Sequence, residues 1–110
     1  MVQAENYESA VRGGTERAGT PRQARLTVGT SAAVISSASV PILWVIIQNL
    51  SSVNIFIGGS DVTGNGSTTD GLRVGPNGNS VPLPFSNLNL IYLIASSGSD
   101  NPVHYLAGSP

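Results

Sequence analysis

From Ala24 onward the apolar residues of this chain fall in short clusters rich in Val and Ile, separated by Gly, Ser, Asn and Pro. That texture predicts many short strands joined by turns. The segments are residues 25–28, 33–36, 43–49, 54–58, 72–74, 80–83, 90–96 and 103–106, and none keeps a helical period over several turns. Between them, Gly58-Gly59, Gly64-Asn65-Gly66, Gly75-Pro76-Asn77-Gly78 and Ser97-Gly98-Ser99-Asp100-Asn101-Pro102 supply the positive-φ and fixed-φ residues that tight turns require. Only Leu50-Ser51-Ser52-Val53 separates segments 43–49 and 54–58, a length that suits a β-hairpin, and this is the pairing the sequence predicts most directly.

Alternate residues of a strand point to opposite sides, so the pattern also predicts facing. Leu43, Val45 and Ile47 share one face, and Trp44, Ile46 and Gln48 the other. Val53, Ile55 and Ile57 oppose Asn54 and Phe56, while Leu90, Tyr92 and Ile94 oppose Ile91, Leu93 and Ala95. Two of these strands are apolar on both sides, and the third carries a lone Phe on its polar side. A single sandwich has one interior, so the second face needs another cover. Burying a large apolar side chain contributes about 1.5 to 3 kcal/mol, which makes Trp44, Ile46, Phe56 and Leu93 candidates for an interface with a second copy of the chain.

Residues 1–25 have a different character. They hold seven of the 11 charged residues, together with Gly13, Gly14, Gly19 and Pro21, which break any long helix. The expected organisation is an extended polar N-terminal arm over residues 1–25, then a small antiparallel all-β sandwich or barrel-like domain over residues 26–110. That domain carries only Asp61, Asp70, Arg73 and Asp100, and the chain has no lysine and no cysteine. Disulfides and thiolate chemistry are excluded, and stability must come from packing and association. The longest apolar stretch, residues 40–47, is far below the roughly 20 residues needed to span a bilayer, and the expectation is a soluble protein made inside a cell without membrane contact. A net charge of −1 gives no electrostatic case for nucleic acid.

Candidate chemistry is sparse. A Ser-His-Asp relay would have to use the lone His104, no G-x-S-x-G elbow is present, and the reading is of a non-enzyme with no catalytic residue. Asp61, Thr63, Asn65, Gly66 and Ser67 match the first places of an EF-hand-like calcium loop, but the twelfth place is Leu72 where a bidentate Glu is required, so neither metal nor cofactor is expected. Gly64-x-Gly66 opens no helix and makes no phosphate cradle. Asn49-Leu50-Ser51 and Asn65-Gly66-Ser67 match the glycosylation acceptor pattern. Arg12, Arg17, Arg22 and Arg25 are interleaved with Glu5, Glu8 and Glu16, which suits ion pairing with a protein partner better than phosphate binding.

The run Ile47-Gln48-Asn49-Leu50-Ser51-Ser52-Val53-Asn54-Ile55-Phe56-Ile57-Gly58-Gly59, with Gly71-Leu72-Arg73-Val74 and Leu90-Ile91-Tyr92-Leu93-Ile94-Ala95 after it, resembles small structural proteins of tailed-bacteriophage virions. The resemblance covers residues 26–106 and implies a β-sandwich that decorates or cements a phage head, assembled in the host cytoplasm as a trimer or another small homo-oligomer and bound to the major capsid protein. In that reading the four arginines of the arm contact the capsid. The alternative is a fibre or tail module that recognises a glycan or host surface through its glycine-rich loops.

Overall fold

The structure, a computed structural model, describes residues 19–110. Eight strands follow one another: β1 (Thr20–Val28), β2 (Ala33–Val34), β3 (Trp44–Asn49), β4 (Ile55–Gly58), β5 (Leu72–Val74), β6 (Asn79–Leu83), β7 (Tyr92–Ala95) and β8 (Asn101–Ser109), with a single 3-10 turn at Leu88–Leu90 before β7. All eight predicted segments are strands, displaced by a few residues at their ends. They form two four-stranded sheets in the orders β1-β8-β3-β6 and β2-β7-β4-β5, and every strand pairing is antiparallel. The partners β1–β8, β2–β7, β3–β6 and β4–β5 nest inside one another. A long hairpin rolled on itself in this way is an eight-stranded jelly roll.

The hairpin expected between β3 and β4 does not form, because the two strands lie in different sheets. Both edges of β3 are occupied by β6 and β8, and both edges of β4 by β5 and β7. Leu50–Val53 is therefore an arch from one sheet to the other, and the residue that turns it is Asn49, which is fully buried on the core side of β3. Its Nδ2 donates to the carbonyls of Val53, Val74 and Gly75 at 2.8, 3.0 and 3.0 Å. Its Oδ1 accepts from the Ser51 amide at 2.9 Å and the Ser51 hydroxyl at 2.6 Å. A hairpin that kept both strands in one sheet would carry β4 and β5 away from Asn49 and leave its amide without the Val74 and Gly75 carbonyls. The return arch from β7 to β8 uses the same device, as Asn101 Nδ2 donates to the carbonyls of Val28 and Ser97 at 2.9 and 2.8 Å.

Alternation within the strands fills the space between the sheets. Val45, Ile47 and Val103 of one sheet meet Ile55, Ile57, Leu93 and Ala95 of the other, and all are buried. Leu93 is thus a core residue, 1% exposed, and the expectation that it belongs to an interface is corrected. It shares its face with Ile91 and Ala95, the side of β7 that turns inward, so no surface is left for a partner to cover.

The boundary between arm and domain also moves. β1 begins at Thr20, and its residues pair one for one with β8 as far as Thr20 opposite Ser109. Residues 20–25 are exposed on both faces, so this half of the β1–β8 ribbon is held by its ladder rather than by packing. A strand that buries neither face shows no alternation of polar and apolar residues, which is why the sequence read as an arm here. The Gly19 amide donates to the Ser109 carbonyl at 2.6 Å, bringing the start of β1 beside the last residues of the chain.

Replacing Asn49 with Ala strands the carbonyls of Val53 in the arch and of Val74 and Gly75 at the end of β5. Each unsatisfied group costs about 1 to 3 kcal/mol, and N49A is expected to lower unfolding free energy in urea by about 3 kcal/mol or more. The exposed Asn79→Ala control should change it by less than about 1 kcal/mol. Equal effects of the two substitutions would show that the arch does not depend on this amide.

Candidate interaction surface

The two outer faces of the jelly roll differ in what covers them. On the β2-β7-β4-β5 sheet, Phe56 points outward between Ile94 of β7 and Arg73 of β5. The loop between β4 and β5 folds back over this face. A Cβ placed on Gly64 would lie 2.5 Å from the Phe56 ring, and one on Gly58 would lie 2.9 Å from the Val62 side chain. A Cβ on Gly71 would run into the carbonyl oxygen of Ile57. Val62 is buried and Phe56 is half-buried as a result. The cover expected from a neighbouring copy is supplied at Phe56 by the chain itself, and the signal for it in the sequence is the glycine at each point of close approach.

Asp70 holds this loop shut. Its Oδ1 accepts from the Thr63 hydroxyl at 2.8 Å and the Asn65 amide at 3.2 Å, and its Oδ2 accepts from the Gly66 amide at 2.9 Å. Thr63, Ser67 and Thr69 hydroxyls bond one another beneath it. The Thr63 hydrogen bond, supported by the amides of Gly66, Asn65 and Ser67, holds the Asp70 carboxyl below the usual carboxylate range against a smaller opposing effect of desolvation. Both oxygens are thereby used within the loop. Among the described residues no group of three His, Cys, Asp or Glu side chains converges as metal ligands. Asn65 is exposed, whereas Asn49, the other asparagine in an acceptor-like triplet, has its amide hydrogens committed to the interior.

The outer face of the β1-β8-β3-β6 sheet carries no such lid. Register places Pro21, Gly108 and Trp44 in one row, Gln23, Leu106, Ile46 and Pro82 in the next, and Arg25, His104, Gln48 and Ser80 in a third. Ile46 and Leu106 are 37% and 41% exposed, large for neighbouring aliphatic side chains in the middle of a sheet, and Pro82 beside them is exposed as well. A shallow groove of about 410 Å³ runs across this face between Ile46, Leu106, Gln48, His104, Gln23 and Ser80. Among these row positions Arg25 is the one permanent charge and no carboxylate pairs with His104.

The structure therefore separates the predicted interface residues. Trp44 and Ile46 stand on the open face, Phe56 lies under the loop on the opposite sheet, and Leu93 is inside. Leu106 and Pro82, which complete the apolar patch, were missed because the predicted strand at residues 103–106 ended at Leu106 and Pro82 offered no pattern of its own. Of the arginines assigned to the arm, Arg22 and Arg25 are exposed residues of β1, and Arg12 and Arg17 lie outside the described residues. No helix among the described residues is long and apolar enough to cross a membrane. The fold defines the class, an eight-stranded antiparallel jelly roll. Comparison with protein-family models, curated proteins and solved structures finds no match to this chain.

The lowered pKa of Asp70 fixes the sign of its pH effect. The ionised carboxylate closes the loop, so its contribution is present above the unfolded carboxylate pKa and is lost as pH falls through the lower folded value. The Asn65 and Gly66 amide resonances should shift together in an NMR titration from about pH 6 to about pH 2, with a midpoint below that of a free aspartate. In D70N this titration should vanish. A midpoint at or above the free value would mean that these hydrogen bonds do not form in solution.

Proposed function

We propose that this chain is a structural subunit of a virion, a head-decoration or cement protein that self-associates and attaches to a major capsid protein through protein–protein contacts. The observation that carries the proposal is the open outer face of the β1-β8-β3-β6 sheet, where Trp44, Ile46, Leu106 and Pro82 form a patch with little charge around it. A surface of this kind wants a partner, since aliphatic side chains left in water forgo the stabilisation of burial. Jelly rolls serve as capsid and lectin domains, and the resemblance to small phage structural proteins points toward the first of these. No catalytic role is proposed for any residue. The fibre or tail reading would place glycan contacts on the loop between β4 and β5, but its hydroxyls and its Asp70 carboxylate are largely occupied with one another.

Two measurements test the proposal. By light scattering after size exclusion, the wild-type chain at micromolar concentration should be a small oligomer. Ile46→Arg on the open face should produce a monomer while changing stability by no more than about 1 kcal/mol. A monomeric wild type that also fails to bind capsid particles would sink the reading. For the arm, truncation must stop before Gly19, because removing more would cut into β1. Deleting residues 1–18 should leave a folded oligomer that no longer binds particles, and undiminished binding would show that the arm is not the attachment device.

A further inference from the structure

The chain contains two Asn-Gly dipeptides, Asn65-Gly66 and Asn77-Gly78. In such a pair the glycine amide nitrogen can attack the asparagine side-chain carbonyl, because no Cβ on the glycine hinders the approach. The new N–C bond expels ammonia and closes a succinimide, which water then opens to aspartate or isoaspartate. For the attack the glycine N–H must be free to turn toward the side chain and to lose its proton.

Both glycine amides are tied down, but by different groups. The Gly78 amide donates to the backbone carbonyl of the buried Asn49 at 2.7 Å, and the Asn77 amide donates to the Ser51 carbonyl at 2.9 Å. That site is fastened to the arch on which the fold depends. The Gly66 amide donates instead to Asp70 Oδ2 at 2.9 Å, a side-chain partner on an exposed loop. A carboxylate next to the amide also opposes loss of the amide proton, since it would face the resulting anion.

We propose that Asn65 is a latent deamidation site guarded by Asp70, and that its modification opens the loop covering Phe56. The product places a second carboxylate beside Asp70, and the isoaspartate form lengthens the backbone by one carbon where the loop turns. A second negative charge on residue 65, whose own backbone amide donates to Asp70, disfavours the closed arrangement, and the loop lifts from the Phe56 ring at Gly64. The change runs in one direction, because hydrolysis does not restore the amide. It converts the covered outer face into a second exposed apolar surface, independently of whether the open face assembles as proposed above.

The experiment is mass spectrometry of proteolytic peptides after incubation of the full chain at mildly alkaline pH. A free peptide of residues 60–70 serves as the unprotected reference. A charge-assisted hydrogen bond that must open first should slow Asn65 in the wild type at least about tenfold relative to that peptide. Asp70→Ala, which unlike Asn creates no new Asn-Gly pair with Gly71, should restore most of the difference at Asn65 and leave Asn77 unchanged. Equal rates in the wild type and the peptide, or no acceleration at Asn65 in D70A, would overturn the proposal. Should D70A accelerate Asn77 as well, the variant has lost its fold, and the ratio of wild type to peptide alone decides. Loop closure is read separately by limited proteolysis with a protease of broad specificity, because residues 59–71 hold no Lys or Arg for trypsin; the deamidated fraction should be cut first between Gly59 and Gly71, and equal cutting of both fractions would remove the opening step.

Discussion

A jelly roll has to carry its chain from one sheet to the other without leaving peptide groups stranded in a dry interior, and here that constraint falls on the side-chain amide of Asn49. It touches β3, the arch and the end of β5 together, its two N–H groups shared among three carbonyls and its oxygen accepting from Ser51. Aspartate, nearly the same shape, would bring an acceptor toward those carbonyls and a charge into a fully buried position. Leucine would fill the volume and satisfy nothing. The turn after β5 depends on the same residue, since Gly78 donates to its main-chain oxygen and Asn77 to that of Ser51. Asn101 serves the other crossing with two carbonyls, Val28 in its own sheet and Ser97 in the connection, so each crossing carries a buried amide and that of Asn49 reaches β5 in the opposite sheet.

What could be read in the sequence follows from what alternation reports. Where one side of a strand is buried, as at Val45 and Ile47 or Ile55 and Ile57, the period of two marks both the strand and its inward face. Where neither side is buried, as at residues 20–25, the signal disappears although the ladder is complete. Partner choice is less legible still. Five residues between β3 and β4 satisfy a hairpin and an arch equally well, and the polarity of one inward-facing residue, Asn49, separates them. The facing of the interface candidates follows the same rule. Trp44 and Ile46 were placed by strand parity. Phe56 was placed outward correctly, but the loop that covers it is drawn in by glycines whose role is to be absent, and absence of a side chain has no period.

The two outer faces divide the labour of exposure. One is capped by a loop that draws on a single carboxylate and three hydroxyls to stay closed. The other presents aliphatic and indole side chains on three neighbouring strands with very little charge, beside a shallow groove. The sparse charge of the domain fits this division. A surface clothed in Ser, Thr, Asn and Gln stays wetted without the like-charge repulsion that keeps monomers apart.

The start of β1 lies beside the last residues of β8, and the two run antiparallel along the rim of the first sheet. Mechanically this makes the rim strand direction-sensitive. Tension applied between residues 19 and 110 would peel the ladder from its open end, one pair at a time, and needs little force. Tension applied at residue 19 along β1, with the domain held by the face of β8 and β3, loads the whole ladder in shear, and its hydrogen bonds must give way together. A tether leaving through Gly19 is therefore a weak handle for pulling the chain apart from its own tail and a strong one for resisting a pull along the sheet.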